Sequence, residues 1–566
     1  MATIISILGG VGLFLLGMAV MTDGLKVLAG SALRGVLAKA AATPMRGTIW
    51  GAIITLLVQS SSATTMTTIG LVSAGLLTFP QGLSLVFGAN IGTTGTGWLV
   101  ALLGVRISLT AAALPIVFVG ALLKLVGRDR WAGAGSAIAG FALILVGLTT
   151  LQQGMGGLAE QLNPADLPSV IGEAGVAWWS GILGVLVLVL AGIVMTTVMQ
   201  SSTAAIAVTL SALYAGAVGL DQAVALVIGQ NIGTATSSAM AAVGASSTAK
   251  RLAVAYIAFK LVAAVVALLL FLPTVRLMIR AVDTVDAVTL LAIYHTGYNV
   301  VGVAILLPLI VPFTRMIERL VPERGNPLTR CLDPASLTST IVAVEAGRRT
   351  VASVLGSLCS SSADWLENTL RDGAAANTVD NAMLHQTSDA LRETRAFLSH
   401  VTDQLPSDEE QRWFISTLHA LEHTIRLADA LKENVKIGPD GVDGRRATVL
   451  CAKAMRGASS IATHLVHSPV PKSEEPQFGT LGAGPTETDA SPAVSSDNSI
   501  PNIEHYSTEL ADVLPLHRRA TLESVASGTL TADDAIAHVE AVRFLDRLAH
   551  HAWRASAHIA GAIVQY

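Results

Sequence analysis

The chain has 566 residues, of which 52% are hydrophobic and 13% charged, with a formal net charge of −4. Without a basic stripe interleaved with aromatics, this balance argues against a nucleic-acid partner. The three cysteines, Cys331, Cys359 and Cys451, are odd in number and lack metal-ligand spacing, so they read as ordinary thiols in a reducing compartment.

The average hides two halves that divide near Arg315. Before it, apolar stretches recur at Ile4–Val20, Gly47–Val58, Leu109–Val126, Ala132–Leu151, Val176–Val198, Leu252–Pro273 and Ala287–Phe313. Several match the ~20 residues that cross a bilayer. The first lacks a basic leader and a small-residue cleavage site, so it is expected to remain as a membrane helix. The loop after it carries Lys26, Arg34, Lys39 and Arg46, whereas Leu151–Val176 holds Glu160, Asp166 and Glu173 without Lys or Arg. The positive-inside rule makes the first loop cytoplasmic and the second external, which puts the N-terminus outside. Arg128/Arg130 and Lys250/Arg251 fit as cytoplasmic. Arg276–Asp286 is then left external despite Arg276 and Arg280.

One motif occurs twice. Gln59-Ser60-Ser61-Ser62 precedes Gly88-Ala89-Asn90-Ile91-Gly92-Thr93, and Gln200-Ser201-Ser202-Thr203 precedes Gly229-Gln230-Asn231-Ile232-Gly233-Thr234. Gln and Asn lie 31 residues apart in both copies, and the copies superpose at an offset of 141. This offset maps the basic loop at 24–46 onto 165–187 in the cation-free one. The repeats, about 47–105 and 188–246, are therefore expected to enter the membrane from opposite sides and to build one midplane site.

Serine and threonine also let membrane helices approach closely. A cluster recurring at equivalent places in two repeats instead favours a binding site. Hydroxyls beside free N–H groups at a helix break suit an oxyanion such as phosphate, which assigns Ser60, Ser61, Ser62, Thr64, Ser201, Ser202 and Thr203 to the anion. Amide and hydroxyl oxygens suit Na+, which assigns Gln59, Gln200, Asn90, Asn231, Thr93 and Thr234 to the cation. Neither motif contains Lys or Arg, so co-bound cations would offset the anion's charge, a physical reason for symport. Gly88, Gly92, Gly229 and Gly233 permit tight turns or close helix contact. A third cluster, Tyr294-His295-Thr296-Gly297-Tyr298-Asn299, interrupts the last apolar stretch; His295 and Asn299 share a helix face and are candidates for gating or proton sensing. Lys260, also in apolar sequence, either snorkels or pairs with a neighbour.

The paired Gln-Ser-Ser and Asn-Ile-Gly-Thr motifs, with the His-Thr-Xaa-Xaa-Asn segment followed by Leu-Pro, resemble the bacterial form of the sodium-dependent phosphate cotransporter family over roughly residues 1–315. The resemblance implies sodium-coupled symport of inorganic phosphate, with the serine-rich segments as re-entrant hairpins. The second copy departs at Thr203, Ala204 and Ala205, so the first is expected to carry more ligands. After a linker at 316–335, residues 336–566 resemble a PhoU-like domain. Six helices are expected near Leu337–Leu370, Asn377–Gln404, Asp408–Val435, Gly444–His467, Ile503–Ser527 and Thr531–Val564, with a disordered insertion at 468–501. Arg426-Leu427-Ala428-Asp429 and Arg547-Leu548-Ala549-His550 echo that family's Arg-Xaa-Xaa-Asp pattern. His550 replaces an Asp, so no metal is assigned, and Asp546–His551 reads as a solvated helix face.

The expected fold class is all-α: a polytopic membrane domain with inverted repeats and two re-entrant hairpins, then a soluble helical bundle. The expected location is the inner membrane, with the C-terminal domain cytoplasmic and regulatory. Phosphate, sodium and membrane lipid are the partners, and a homodimer and a cytoplasmic signalling partner are left open. An intramembrane hydrolase is disfavoured, since no Gly-Xaa-Ser-Xaa-Gly elbow is present. A non-transporting phosphate sensor, a phosphate exporter and a symporter of another oxyanion are the alternatives.

Overall fold

A computed structural model describes residues 2–29, 43–104, 110–128, 130–161, 167–172, 175–243, 245–323, 326–372, 379–401, 408–433, 435, 437, 441–467 and 499–561. Arg34, Lys39, Asp166, Glu173 and residues 468–498 of the expected insertion lie outside them. The described residues are helical throughout their regular elements, and form two compact units: residues 1–72 with 77–323, and residues 73–76 with 324–566.

Among the described residues, the first unit holds six helices long and apolar enough to cross a membrane, including α1 (Ala2–Ala29). The first repeat contributes α2 (Pro44–Val58), α3 (Ser61–Ser73), α4 (Phe79–Thr93) and α5 (Gly95–Leu99), which runs on as a π-helix over Val100–Gly104. Then come α6 (Thr110–Val126) and α7 (Arg130–Ala159). The second repeat contributes α8 (Trp178–Met199), α9 (Ser202–Tyr214), α10 (Leu220–Gly233) and α11 (Ala235–Ala241). With the offset of 141, α3 and α9 coincide end to end. The local chemistry repeats too: the Thr78 N–H donates to Gln81 Oε1 at 2.9 Å before α4, and the Gly219 N–H to Gln222 Oε1 at 2.8 Å before α10.

Glycine decides how closely these helices pack. α1 carries Gly10, Gly17 and Gly24, and α7 carries Gly133, Gly140, Gly147 and Gly154, each series spaced by seven residues. The two series face one another: a β-carbon on Gly17 would lie 2.6 Å from the Ile144 nitrogen and 2.8 Å from the Gly140 carbonyl oxygen. Backbones this close gain van der Waals contact that hydrophobic driving force cannot supply in lipid. The motif glycines work the same way, for a β-carbon on Gly88 would meet the Thr48 carbonyl and one on Gly229 the Val189 carbonyl. Of the two roles open to them, close helix contact is the one observed.

The rest of the first unit corrects one expectation. After α12 (Ser247–Leu269), Arg276 and Arg280 lie not in a loop but in helix α13 (Phe271–Ala281). Phe271, Val275 and Met278 form its buried stripe, so the arginines occupy the polar side of an amphipathic helix, which a loop-charge count misreads. Helix α14 (Ala287–Leu306) continues unbroken through Tyr294–Asn299. The break comes later, around Pro308, before α15 (Ile310–Leu320) carries the helix four residues beyond the expected start of the linker.

The second unit contains the six expected helices: α16 (Thr340–Asp372), α17 (Asn381–Leu398), α18 (Asp408–Leu431), α19 (Gly441–His467), α20 (Ser499–Ala526) and α21 (Ala532–Ile559). Residues 499–501 of the expected insertion form the first turn of α20. Within α16, Glu345 accepts from Arg348 at 2.7 Å and Arg349 at 2.8 Å, all three largely buried. Burial raises the Glu345 carboxyl, but the two guanidiniums outweigh it and hold it below its ordinary value. Cys331, Cys359 and Cys451 are free and buried.

Candidate functional site

Gln59 and Gln200 are the only non-glycine residues with positive φ among the described residues, at 56° and 50°. Each ends a helix in the left-handed region, a conformation that costs a non-glycine residue roughly 1–2 kcal/mol and so marks a built turn. Both turns are fastened alike. Gln59 Nε2 donates to the Leu56 carbonyl, and Gln200 Nε2 donates to the Thr197 carbonyl at 2.6 Å. Gln59 Oε1 accepts from Thr96 Oγ1 at 2.6 Å, and Gln200 Oε1 accepts from Ser237 Oγ at 3.1 Å. All of these partners are related by 141 residues. The amides expected to ligate a cation are thus engaged in shaping the turns.

Beyond each turn a helix begins. Ser60 Oγ accepts from the Ala63 N–H at 3.3 Å and Ser201 Oγ from the Ala204 N–H at 3.2 Å, which caps α3 and α9. Ser60 lies 3.3 Å from Ser62 and Ser201 lies 3.0 Å from Thr203, oxygen to oxygen. The first-turn amides that these caps leave without a helical acceptor make each helix start electropositive.

The two turns line one cavity of about 330 Å³. Gln59, Ser60, Ser61, Ser62 and Thr93 face it from the first repeat, and Gln200, Ser201, Ser202, Thr203 and Thr234 from the second; α1 closes it along Leu15 to Lys26. Behind it a recess of about 10 Å³, roughly one water, is lined by Ser61, Asn90, Thr93, Ser202, Asn231, Thr234, Tyr256, Lys260 and His295. Thr64 does not line either space. It is buried, accepts from Thr55 Oγ1 at 3.0 Å and donates to the Ser60 carbonyl at 3.1 Å, so it joins α2 to α3. In the second copy Ala205 takes its place, and the buried Thr196 Oγ1, equivalent to Thr55, has no hydrogen-bond partner among the described residues.

A buried amide network floors the recess. Tyr256 donates to Asn90 Oδ1 at 3.3 Å; Asn231 Nδ2 donates to Asn299 Oδ1 at 3.1 Å, and Asn299 Nδ2 to the His295 carbonyl at 2.8 Å. Lys260, fully inside the unit, donates to Asn231 Oδ1, and its ammonium lies 5.3 Å from the centre of the Tyr256 ring. Sequence reasoning leaves Lys260 open because nothing in its own segment marks a partner; the partner lies 29 residues away on another helix. His295 Nδ1 is buried without a hydrogen-bond partner among the described residues.

The second unit gathers a different cluster. His419 and His423 on α18 meet His550, His551 and His558 on α21, with His423 Nδ1 3.1 Å from His551 Nδ1 and the rings of His419 and His558 stacked at 5.0 Å. Asp546–His551 is therefore half-packed against a neighbouring helix, not a purely solvated face. No three His, Cys, Asp or Glu side chains among the described residues are arranged to hold a metal ion. Burial first, then neighbouring positive groups, pushes His423 down to about 3, and His551 and His558 to about 4. Folded-state values below the ordinary 6.5 mean that the unfolded chain binds more protons, so stability drops as pH falls from about 6.5 towards 3. After discounting for their partial exposure, we expect a loss of about 1 kcal/mol at pH 5, a midpoint ~2–4 °C lower than at pH 7. Hydrogen exchange of α18 and α21 in the full chain checks this, and His423→Leu should flatten the dependence.

Capped turns, repeated helices and a shared polar cavity within a polytopic helical unit define a membrane transporter with an internal repeat. Residues 13–153 and 183–299 match the family model described as Na+/Pi-cotransporter, and the chain belongs to that family of phosphate transporters, which are not enzymes. The "Uncharacterized protein YqeW" of Bacillus subtilis (strain 168) is 29% identical over 311 residues, which covers 55% of this chain and 96% of the relative. The "Putative inorganic phosphate export protein YjbB" of Escherichia coli (strain K12) is 28% identical over 360 residues, 62% of this chain and 63% of its own length. A short segment of 62 residues, 11% of this chain and 9% of the relative, is 44% identical to the human "Sodium-dependent phosphate transport protein 2B". No solved structure matches.

Proposed function

We propose that the chain couples inorganic phosphate to sodium and carries both across the cytoplasmic membrane by alternating access. The observation that carries this reading is the pair of left-handed glutamine turns whose serines face one cavity from two repeats. Two helix N-termini and six hydroxyls then bind the oxyanion: Ser60, Ser61 and Ser62 from one side, Ser201, Ser202 and Thr203 from the other. Thr93, Thr234 and the carbonyls of the turns supply oxygen for sodium. In this reading the repeats are inverted, α2–α3 and α8–α9 are the re-entrant hairpins, the N-terminus is external, and the second unit is a cytoplasmic, PhoU-like regulatory domain. Export is the second reading, favoured by the name of the E. coli relative, since the same ligands serve either direction.

Radiolabelled phosphate flux in proteoliposomes tests both. An inward sodium gradient should accelerate uptake several-fold over equal sodium. Flux indifferent to the gradient would remove the coupling, and flux accelerated only in the outward direction would select export.

A further inference from the structure

The repeats place one cation where sequence equivalence provides none. Asn90 and Asn231 correspond at the offset of 141, and both present an amide oxygen at the recess. Asn90 Oδ1 accepts from the neutral hydroxyl of Tyr256, but Asn231 Oδ1 accepts from the Lys260 ammonium. At the same offset of 141, the position corresponding to Lys260 is Val119. Lys260 is buried, and none of the residues lining the recess is a carboxylate. A buried ammonium without a counter-ion is unfavourable on its own, and an anion entering beside it relieves that cost.

We propose that Lys260 is a built-in counter-cation: it holds at Asn231 the positive charge that a bound sodium ion would otherwise bring, so phosphate binding here needs one sodium fewer. This rests on the phosphate reading above. The recess joins Lys260 to Ser61 and Ser202, which also face the larger cavity, so its charge is presented to an anion seated between the two hairpins. The first repeat, with Tyr256 at Asn90, keeps its dependence on a mobile cation. Asp23 and Lys26, which line the larger cavity from α1, pair with each other at 3.3 Å and add no net charge, so the resulting site is charge-balanced by one fixed and one exchangeable positive group.

The test is phosphate binding to the purified full chain, in choline and across a sodium titration, for the native protein, Lys260→Met and Asn231→Asp. The first variant removes the charge with similar side-chain length; the second keeps the lysine but neutralises it in place. Native protein should bind phosphate weakly in choline and more tightly as sodium is added. Both variants should lose about tenfold or more of that affinity, recover it at high sodium, and show a sodium-activation slope steeper by about one ion. Unchanged binding in choline with an unchanged slope in both variants would overturn the proposal and leave the phosphate reading intact. So would a loss that no sodium concentration restores in variants that keep the native thermal midpoint, since Lys260 would then only position Asn231. Absence of binding by the native protein in either salt would remove the phosphate reading, and this inference with it.

Discussion

Ser61→Ala combined with Ser202→Ala should abolish measurable phosphate uptake in proteoliposomes. Both serines face the main cavity and the recess, one from each repeat. A hydrogen bond to a charged group contributes about 1.5–3 kcal/mol, so each replacement alone should weaken phosphate affinity about ten- to a hundredfold. The first copy has three consecutive serines and the second has two followed by Thr203, so Ser61→Ala is expected to be the more damaging. Helix capping stays intact, because Ser60 and Ser201 hold the caps. The loss should therefore appear in affinity without a change in thermal midpoint. Native-like uptake by the double variant would refute the site.

Gly17→Leu is expected to prevent correct assembly of the first unit, whereas Gly9→Leu on the same helix should be tolerated. A β-carbon on Gly17 would press into the backbone of α7, which cannot move aside as a side chain can; one on Gly9 meets nothing within 4 Å. Overpacking costs typically 1–3 kcal/mol, and contact with backbone belongs at the upper end. Yield and monodispersity in detergent, compared between the two variants, give the readout. Equal behaviour would mean that the glycine series does not set the packing of α1 on α7.

Much of the fold and of the site is legible in the amino-acid sequence, for definite reasons. Helices longer than ~20 apolar residues declare themselves by composition, and the 141-residue offset aligns hydroxyls that share a cavity. What stays hidden depends on contacts distant in sequence or on backbone angles. The left-handed conformation of Gln59 and Gln200 has no sequence signature, because glutamine seldom adopts it. Thr64 reads as one more hydroxyl of the motif, and only its partner Thr55 shows that it belongs to the packing. The two sevenfold glycine series are visible as patterns, but nothing in either one names the other as its partner. The histidines of α18 and α21 lie more than a hundred residues apart in the chain. Charge counting misplaces Arg276 and Arg280 because it assumes that charged residues between spans lie in loops, while here they ride on a helix.

Thr196 Oγ1, buried without a hydrogen-bond partner among the described residues, marks one place where the two copies differ. In the inverted-repeat reading proposed above, two repeats identical in sequence would make the conformations open to either side equivalent by a two-fold rotation and equal in energy, and the empty carrier would rest in both equally. Here that degeneracy is lifted at identifiable places: Thr64 against Ala205, Ala89 against Gln230, Val119 against Lys260. One hairpin is stitched by the Thr55–Thr64 hydrogen bond, and the other lacks it but is held by Gln230, which donates to Thr209 and to the Ala205 carbonyl. In the alternating-access reading proposed above, such differences would bias which side the unloaded carrier faces at rest, while the direction of net movement would follow the gradients of phosphate and sodium.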